Sequence, residues 1–350
     1  MSVTETKPTT GGSARRRLSS FLSAESAHPP SPPVYRGRQR LFLALVLILG
    51  CIAPSLLGGD AYHDGLLDNV LISGILALGF AWCFSLAGQF TFAVFAMYAA
   101  GAYVSVWGAN HLGGFWPGFG LAMLVTAVIG AVLRLTFSKL SPLYFAIATL
   151  GVGGLILILF REWTSFTGGY NGVSTVAVPR LGTVAFRTPH TQYFLILGVL
   201  SVFLAATVAL VHSPALRDLN FSRDQGPVAA TTGLRPRQLI LVAFVVGSAM
   251  QGAAGSLYAH NSTFFSLESF NGDISLSVLL MVLLGGVESI YGPVIGAALV
   301  VSLPELLRGA QRYSDASYAG LVLLIVIAFP GGVAGARQIV RRQLARARSH

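Results

Sequence analysis

Apolar positions along this chain come in long unbroken runs. They lack both the alternation of a half-buried strand and the one-sided stripe of a soluble helix. Windows long enough to cross a bilayer core, which needs about 20 apolar residues per helix, recur from Leu41 to Phe329. Their breakers predict spans at residues 41–57, 66–86, 89–107, 116–137, 142–160, 193–211, 239–258, 274–284, 291–303 and 318–329. Only closed barrels and helices satisfy their own backbone hydrogen bonds in lipid. The pattern therefore predicts an all-α, polytopic membrane protein of about ten transmembrane helices, some of them interrupted.

Composition agrees, with 54% hydrophobic residues, only 10% charged and a mean hydropathy of +0.69. A soluble domain carries roughly 25% charged residues. The net charge of +10 does not point to nucleic acid, because the cations gather at the chain ends. Lys7, Arg15, Arg16, Arg17, Arg36, Arg38 and Arg40 precede the first span, and Arg337, Arg341, Arg342, Arg346 and Arg348 follow the last. Positive-inside logic places both termini in the cytoplasm of a multi-pass protein of the cell membrane, with membrane lipids as its surroundings. The expected organisation is a disordered basic tail over 1–40, rich in Ser, Pro and Arg, a transmembrane domain over 41–330, and a basic tail over 331–350. Arg134 and Lys139 then fall inside, and the loops at 58–65 and 161–192 outside.

Two spans read poorly as uniform helices. "SLAGQFTFAVFAMYAAGAY" carries Gly88 and Gln89, and "LLGGVESIYGPVIGA" carries Gly285, Gly286, Glu288 and Pro293. Non-helical backbone at membrane depth survives where it is buried in protein or lines a watery cavity, and paired interruptions point to a transport pathway. Small residues also allow close helix packing, and both readings stand at this point. Gln89, Gly285, Gly286 and Glu288 are the candidate pathway residues, Glu288 because an ionisable group between spans is a functional candidate by default. Thr167, Gly168 and Asn171 join them from "REWTSFTGGYNGVS", whose glycines are strong turn formers. That turn is either an outer vestibule or a plain reversal.

Other chemistry is missing. A phosphate-cradling loop needs a Gly-rich turn ending in Lys-Ser/Thr, and neither Lys7 nor Lys139 sits in one. The histidines are scattered and no HExxH occurs, so no metal site or other cofactor is implied. Cys51 and Cys83 lie in apolar spans as small core residues. The acidic residues do not offer the paired arrangement an intramembrane hydrolase needs. ATP hydrolysis by a P-loop is therefore excluded, and an enzyme is a poor fit to these residues.

The stretches "YFAIATLGVGGLILILFREWTSFTGGYNGVS", "LILVAFVVGSAMQGAAGSLYAH" and "LLMVLLGGVESIYGPVIGAALVVSLPELLR" closely resemble permease subunits of branched-chain amino-acid ABC importers, the LivM type. The likeness runs from about Leu66 to Pro330. It implies import of branched-chain amino acids or similar small polar solutes. It also implies a second related permease, cytoplasmic ABC ATPase subunits and an external solute-binding protein as partners. In that family the loop between the middle spans docks on the ATPase and reads Arg-acid-x-Glu-x-Ala-Ala-x-x-x-Gly. Within "FSRDQGPVAATTGLRPRQ", residues 221–238, Arg223, Asp224, Ala229 and Gly233 match, with Ala230 beside them. The usual Glu is Gly226 here, followed by Pro227, and Glu288 replaces a Gly often found after the Gly-Gly pair. The alternative is an ion-coupled secondary transporter, which needs a buried group to carry protons; Glu288 is its candidate.

Overall fold

The computed structural model describes residue 50 and residues 61–174, 178–181, 184–186, 188–211, 235–262, 264–287 and 289–306. Both tails, the predicted span 318–329, the span 41–57 apart from Gly50, the ATPase-coupling residues Arg223, Asp224, Ala229, Ala230 and Gly233, and Glu288 lie outside the described residues. Helix α1 spans Ala61–Ala81 and runs on as a π-helical turn, Trp82–Leu86. After an irregular stretch come α2 (Val94–His111), α3 (Phe115–Thr136) and α4 (Pro142–Glu162). A single turn, α5 (Thr164–Thr167), leads to a 3-10 turn at Gly169–Asn171. Helices α6 (Pro189–Val211), α7 (Pro236–Asn261), α8 (Asp273–Gly285) and α9 (Gly292–Leu306) complete the described chain.

Strands are confined to the connections and have two residues each. β1 (Val173–Ser174) pairs antiparallel with β4 (Phe264–Phe265), and β2 (Arg180–Leu181) with β3 (Val184–Ala185). The architecture is all-α, as predicted. Six described helical stretches are long and apolar enough to cross a membrane: Tyr62–Leu86, Phe115–Thr136, Pro142–Glu162, His190–Leu210, Pro236–Asn261 and Leu267–Gly285.

The helix starts follow local chemistry. Pro142 and Pro236 sit in the first turns of α4 and α7, where the N–H that proline lacks has no partner anyway. Asp64 in the first turn of α1 complements the helix dipole. Several predicted boundaries shift: the span predicted from residue 66 starts at Ala61, inside the stretch predicted as the outer loop 58–65, and the spans predicted from 193 and 239 start at Pro189 and Pro236. The span predicted from residue 89 begins as a helix only at Val94, because the chain turns at Gly88, with φ of 66°. The span predicted to end at 303 carries on through Pro304 to Leu306.

Helix α2 occupies the centre. All but Trp107 and Asn110 of the residues from Val94 to Asn110 are buried, against α3 and α7 on its long sides and α4 and α8 elsewhere. A helix enclosed by protein needs small residues more than greasy ones, since association in lipid rests on close van der Waals packing. The sequence supplies them. A Cβ placed on Gly101 would lie 2.6 Å from Cα of Gly252, and one on Gly79 would lie 2.8 Å from the carbonyl oxygen of Gly247. The backbones of α1, α2 and α7 thus touch directly. By contrast α4 shows much of its length to the surroundings, with Leu143, Ile147, Leu155 and Ile158 more than half exposed, as suits a helix on the lipid side.

Candidate translocation cleft

The end of α1, just before the first interruption, meets the break between α8 and α9. A small cleft of about 50 Å³ is lined by Leu78, Ala81, Trp82, Ser85 and Leu86 from the end of α1 and its π-helical turn, by Thr207 of α6, and by Val287, Ser289 and Ile290 between α8 and α9. A π-helical turn inserts one extra residue into a helix and is often found at functional sites. Here it swings Trp82 towards α6, where the indole N–H donates to Thr207 Oγ1 at 3.0 Å.

Beyond Leu86 the backbone leaves helical geometry, and several of its polar groups find substitute partners. Ala87 N–H bonds Trp82 O at 3.0 Å and Gln89 N–H bonds Cys83 O at 2.9 Å. Phe92 N–H donates to Thr149 Oγ1 of α4 at 3.1 Å, while Phe92 C=O accepts from Ser275 Oγ of α8 at 2.8 Å. Ser275 Oγ also accepts from Phe95 N–H at 3.3 Å, and Thr91 Oγ1 from Ala93 N–H at 3.2 Å. Irregular backbone is held here by side chains of two other helices, as an interrupted span inside a bilayer requires.

The second break has the same chemistry in a tighter form. Gly286, at φ 107°, ends α8 in a conformation that favours glycine. Ser289 N–H bonds Gly286 O at 3.1 Å and Gly292 N–H bonds Ser289 O at 3.2 Å. A Cβ on Gly285 would lie 2.9 Å from Gly292 Cα, so α8 and α9 close into a hairpin on bare backbone.

The predicted pathway residues distribute as follows. Gln89 is half-buried three residues past the cleft wall, and Gly286 directly precedes Val287 in that wall. Gly285 is buried and faces Gly292. Thr167 and Gly168 stand elsewhere, in the turn after α4. The Thr167 hydroxyl is fully buried, donates to Phe160 O at 2.5 Å and accepts from Gly169 N–H at 3.1 Å. Gly168 is left-handed at φ 73°, and Asn171 is exposed at the surface of the turn. That turn is anchored by the β1–β4 ladder, which seats Phe265 among Tyr103 and Phe270.

Sequence reading missed Trp82, Ser85 and Thr207 as cleft residues. The available signal was a tryptophan N–H and a threonine hydroxyl in apolar spans, each of which needs a partner. It also missed a buried polar cluster near the other end of α7. Ser256 Oγ donates to Ser105 Oγ at 2.8 Å, and Ser105 Oγ lies 3.1 Å from His260 Nδ1. Both serines are fully buried and His260 is enclosed, edge-on to Phe115 at 4.8 Å, so the pair joins α2 to α7 without access for a substrate. Among the described residues no cluster of His, Cys, Asp or Glu is suited to a metal ion.

Comparison with known proteins gives a consistent result. Residues 63–329 match the family described as branched-chain amino acid transport system / permease component. The chain is 32% identical to the high-affinity branched-chain amino acid transport system permease protein LivM of Escherichia coli (strain K12), over 85% of this chain and 75% of that protein. It is 31% identical to LivM of Salmonella typhimurium over the same shares, and 23% identical to the permease protein LivH of Escherichia coli (strain K12) over 76% of this chain and 92% of that one. No solved structure matches it. With a match that takes in every described helix but the first two residues of α1, the chain is a multi-pass membrane protein and belongs to the branched-chain amino acid transport system permease family.

Proposed function

We propose that this chain is a permease subunit of an ABC importer that moves branched-chain amino acids, or small polar solutes like them, into the cytoplasm. The observation that carries this reading is the family match over residues 63–329. The meeting of the π-helical end of α1 with the α8–α9 break at one cleft supports it, because interrupted helices mark a transport pathway at membrane depth. In this reading the chain pairs with a second, related permease, much as LivM and LivH are both named as permease proteins. Cytoplasmic ATPase subunits and an external solute-binding protein complete the assembly. The Phe221–Gln238 segment couples to the ATPase through Arg223, Asp224, Ala229, Ala230 and Gly233. The small side chains of Ala229 and Ala230 suit a groove on the ATPase that a bulky residue would not enter. Gln89, Gly286 and Glu288 border the solute path, with Thr167, Gly168 and Asn171 shaping its outer mouth.

Uptake of labelled leucine, isoleucine and valine by cells carrying the complete transporter tests the function. It persists under a protonophore and stops on ATP depletion; the reverse result favours an ion-coupled carrier. Ala229→Arg tests the coupling. The variant inserts at normal levels but loses uptake and ATPase co-purification, because a bulky charge does not fit a groove shaped for a methyl group. Normal uptake with normal ATPase recovery rules this segment out as the coupling element.

A further inference from the structure

Among the described residues, most of the cleft wall is apolar. Leu78, Ala81 and Trp82 are buried in α1 and its π-helical turn, and the half-buried Val287 and Ile290 close the other side, with the Thr207 hydroxyl and two serines as the polar points. Small-molecule sites share this make-up, an apolar lining with a few placed polar groups. A solute made mainly of polar atoms, such as urea or an amide, gives up its water here for walls that return few hydrogen bonds. For an aliphatic group the same transfer is favourable.

Size narrows the choice further. A water-sized group needs about 10–15 Å³ of such space, so a cleft of about 50 Å³ takes about three to five of them. That is close to the carbon count of a valine, leucine or isoleucine side chain and too little for a whole amino acid. The room exists because Ala81 contributes only a methyl group to the wall.

The aromatic part of the wall is held still. Thr207 Oγ1 accepts from the Trp82 indole N–H at 3.0 Å and donates to Phe203 O of its own helix at 2.8 Å, so the hydroxyl is committed in one direction and presents a fixed lone pair to the indole. Helix α7 packs against the root of the same side chain, since a Cβ on Gly247 would lie 3.0 Å from Trp82 Cβ. A wall fixed at both ends discriminates by size, because a group one methylene too large finds no neighbour that yields. We propose that this cleft seats the aliphatic side chain of the solute, with Trp82 as a specificity-determining residue and Thr207 as the positioning residue that orients its indole. The proposal rests on the importer reading above.

The test uses the complete transporter in proteoliposomes, with the external binding protein saturated in turn with valine, leucine or isoleucine. Maximal ATP-driven uptake rates then read the permease rather than the affinity of the binding protein. Ala81→Val narrows the cleft and lowers the leucine-to-valine rate ratio by about fourfold, the equivalent of one methylene. Trp82→Phe widens the cleft and raises that ratio. Thr207→Val frees the indole and shifts the ratio in the same direction as Trp82→Phe, whereas Thr207→Ser keeps the wild-type ratio. A merely structural role slows every solute alike and moves no ratio. Should Ala81→Val fail to insert, Trp82→Phe carries the test. Wild-type ratios in Trp82→Phe, or an equal loss for all three solutes, overturn the proposal and leave the importer reading standing; absence of ATP-driven uptake of all three by wild type overturns that reading and the proposal with it.

Discussion

Replacing Gly101 by alanine tests whether direct backbone contact holds α2 against α7. The added Cβ falls 2.6 Å from Cα of Gly252 and 2.7 Å from its carbonyl carbon. Ordinary van der Waals contact for a Cβ begins at 3.4 Å, and the carbonyl oxygen of Gly252 lies closer still than its Cα, so the helices must separate by more than 0.8 Å. Both neighbours are main-chain atoms, and no rotamer change relieves them. Nor is α7 free to move, because its Gly247 lies against the backbone of α1 at Gly79 and its Gly255 against Ala102. Overpacking of this kind costs about 1–3 kcal/mol and more where nothing yields. It is opposed by the roughly 1 kcal/mol that alanine gains over glycine within a helix. Gly120 of α3 isolates that second effect, because a Cβ there meets nothing within 4 Å. Thermal unfolding in one detergent therefore separates the pair: Gly101→Ala melts several degrees below wild type and Gly120→Ala at or slightly above it. Equal melting of both variants, or a Gly101→Ala protein as stable as wild type, refutes the claim that bare backbone sets this interface.

Thr149→Val removes the hydroxyl that receives Phe92 N–H. It should lower stability by about 1–3 kcal/mol, the cost of an unsatisfied buried donor, whereas Thr149→Ser should retain most of it in the same unfolding assay. Cysteine at Gln89 or Ser289, in a background lacking Cys51 and Cys83, should react with a small hydrophilic thiol reagent; failure of both in every nucleotide state places the solute path away from this cleft. Reporter fusions at His350 and within residues 168–187 should report cytoplasm and exterior respectively, and detection of both on one side sinks the proposed orientation.

Much of the fold was legible because spans in lipid are written in length and apolarity alone. The predicted spans at 116–137 and 142–160 differ from α3 and α4 by no more than two residues at any end. The errors fall where tertiary contacts override local pattern. Phe90, Thr91 and Phe92 read as the start of a span, yet they remain irregular because Thr149 and Ser275, distant in sequence, supply the hydrogen bonds a helix would otherwise make. Phe90 meanwhile packs against Phe80 and Phe84 in an aromatic cluster.

The candidate site was legible only as positions of weakness. Glycines at 88 and 286 mark where the backbone turns, and both have positive φ. The residues that make a cleft of those turns come from helices whose sequences look uniform. Trp82 belongs to an apolar run with nothing local to mark a π-helical turn, and Thr207 sits in the middle of "LAATVAL". Only packing of α1 against α6 brings the indole within 3.0 Å of that hydroxyl. Of the two glycine readings weighed at the outset, close packing is the one that the contacts of Gly285 and Gly286 display. Gly285 and Gly286 are both buried with their carbonyl oxygens against Gly292, whereas the half-buried Val287, Ser289 and Ile290 beyond them line the cleft. Both glycines of this "GG" therefore serve the helical hairpin, and the residues that line the cleft begin one position later, at Val287.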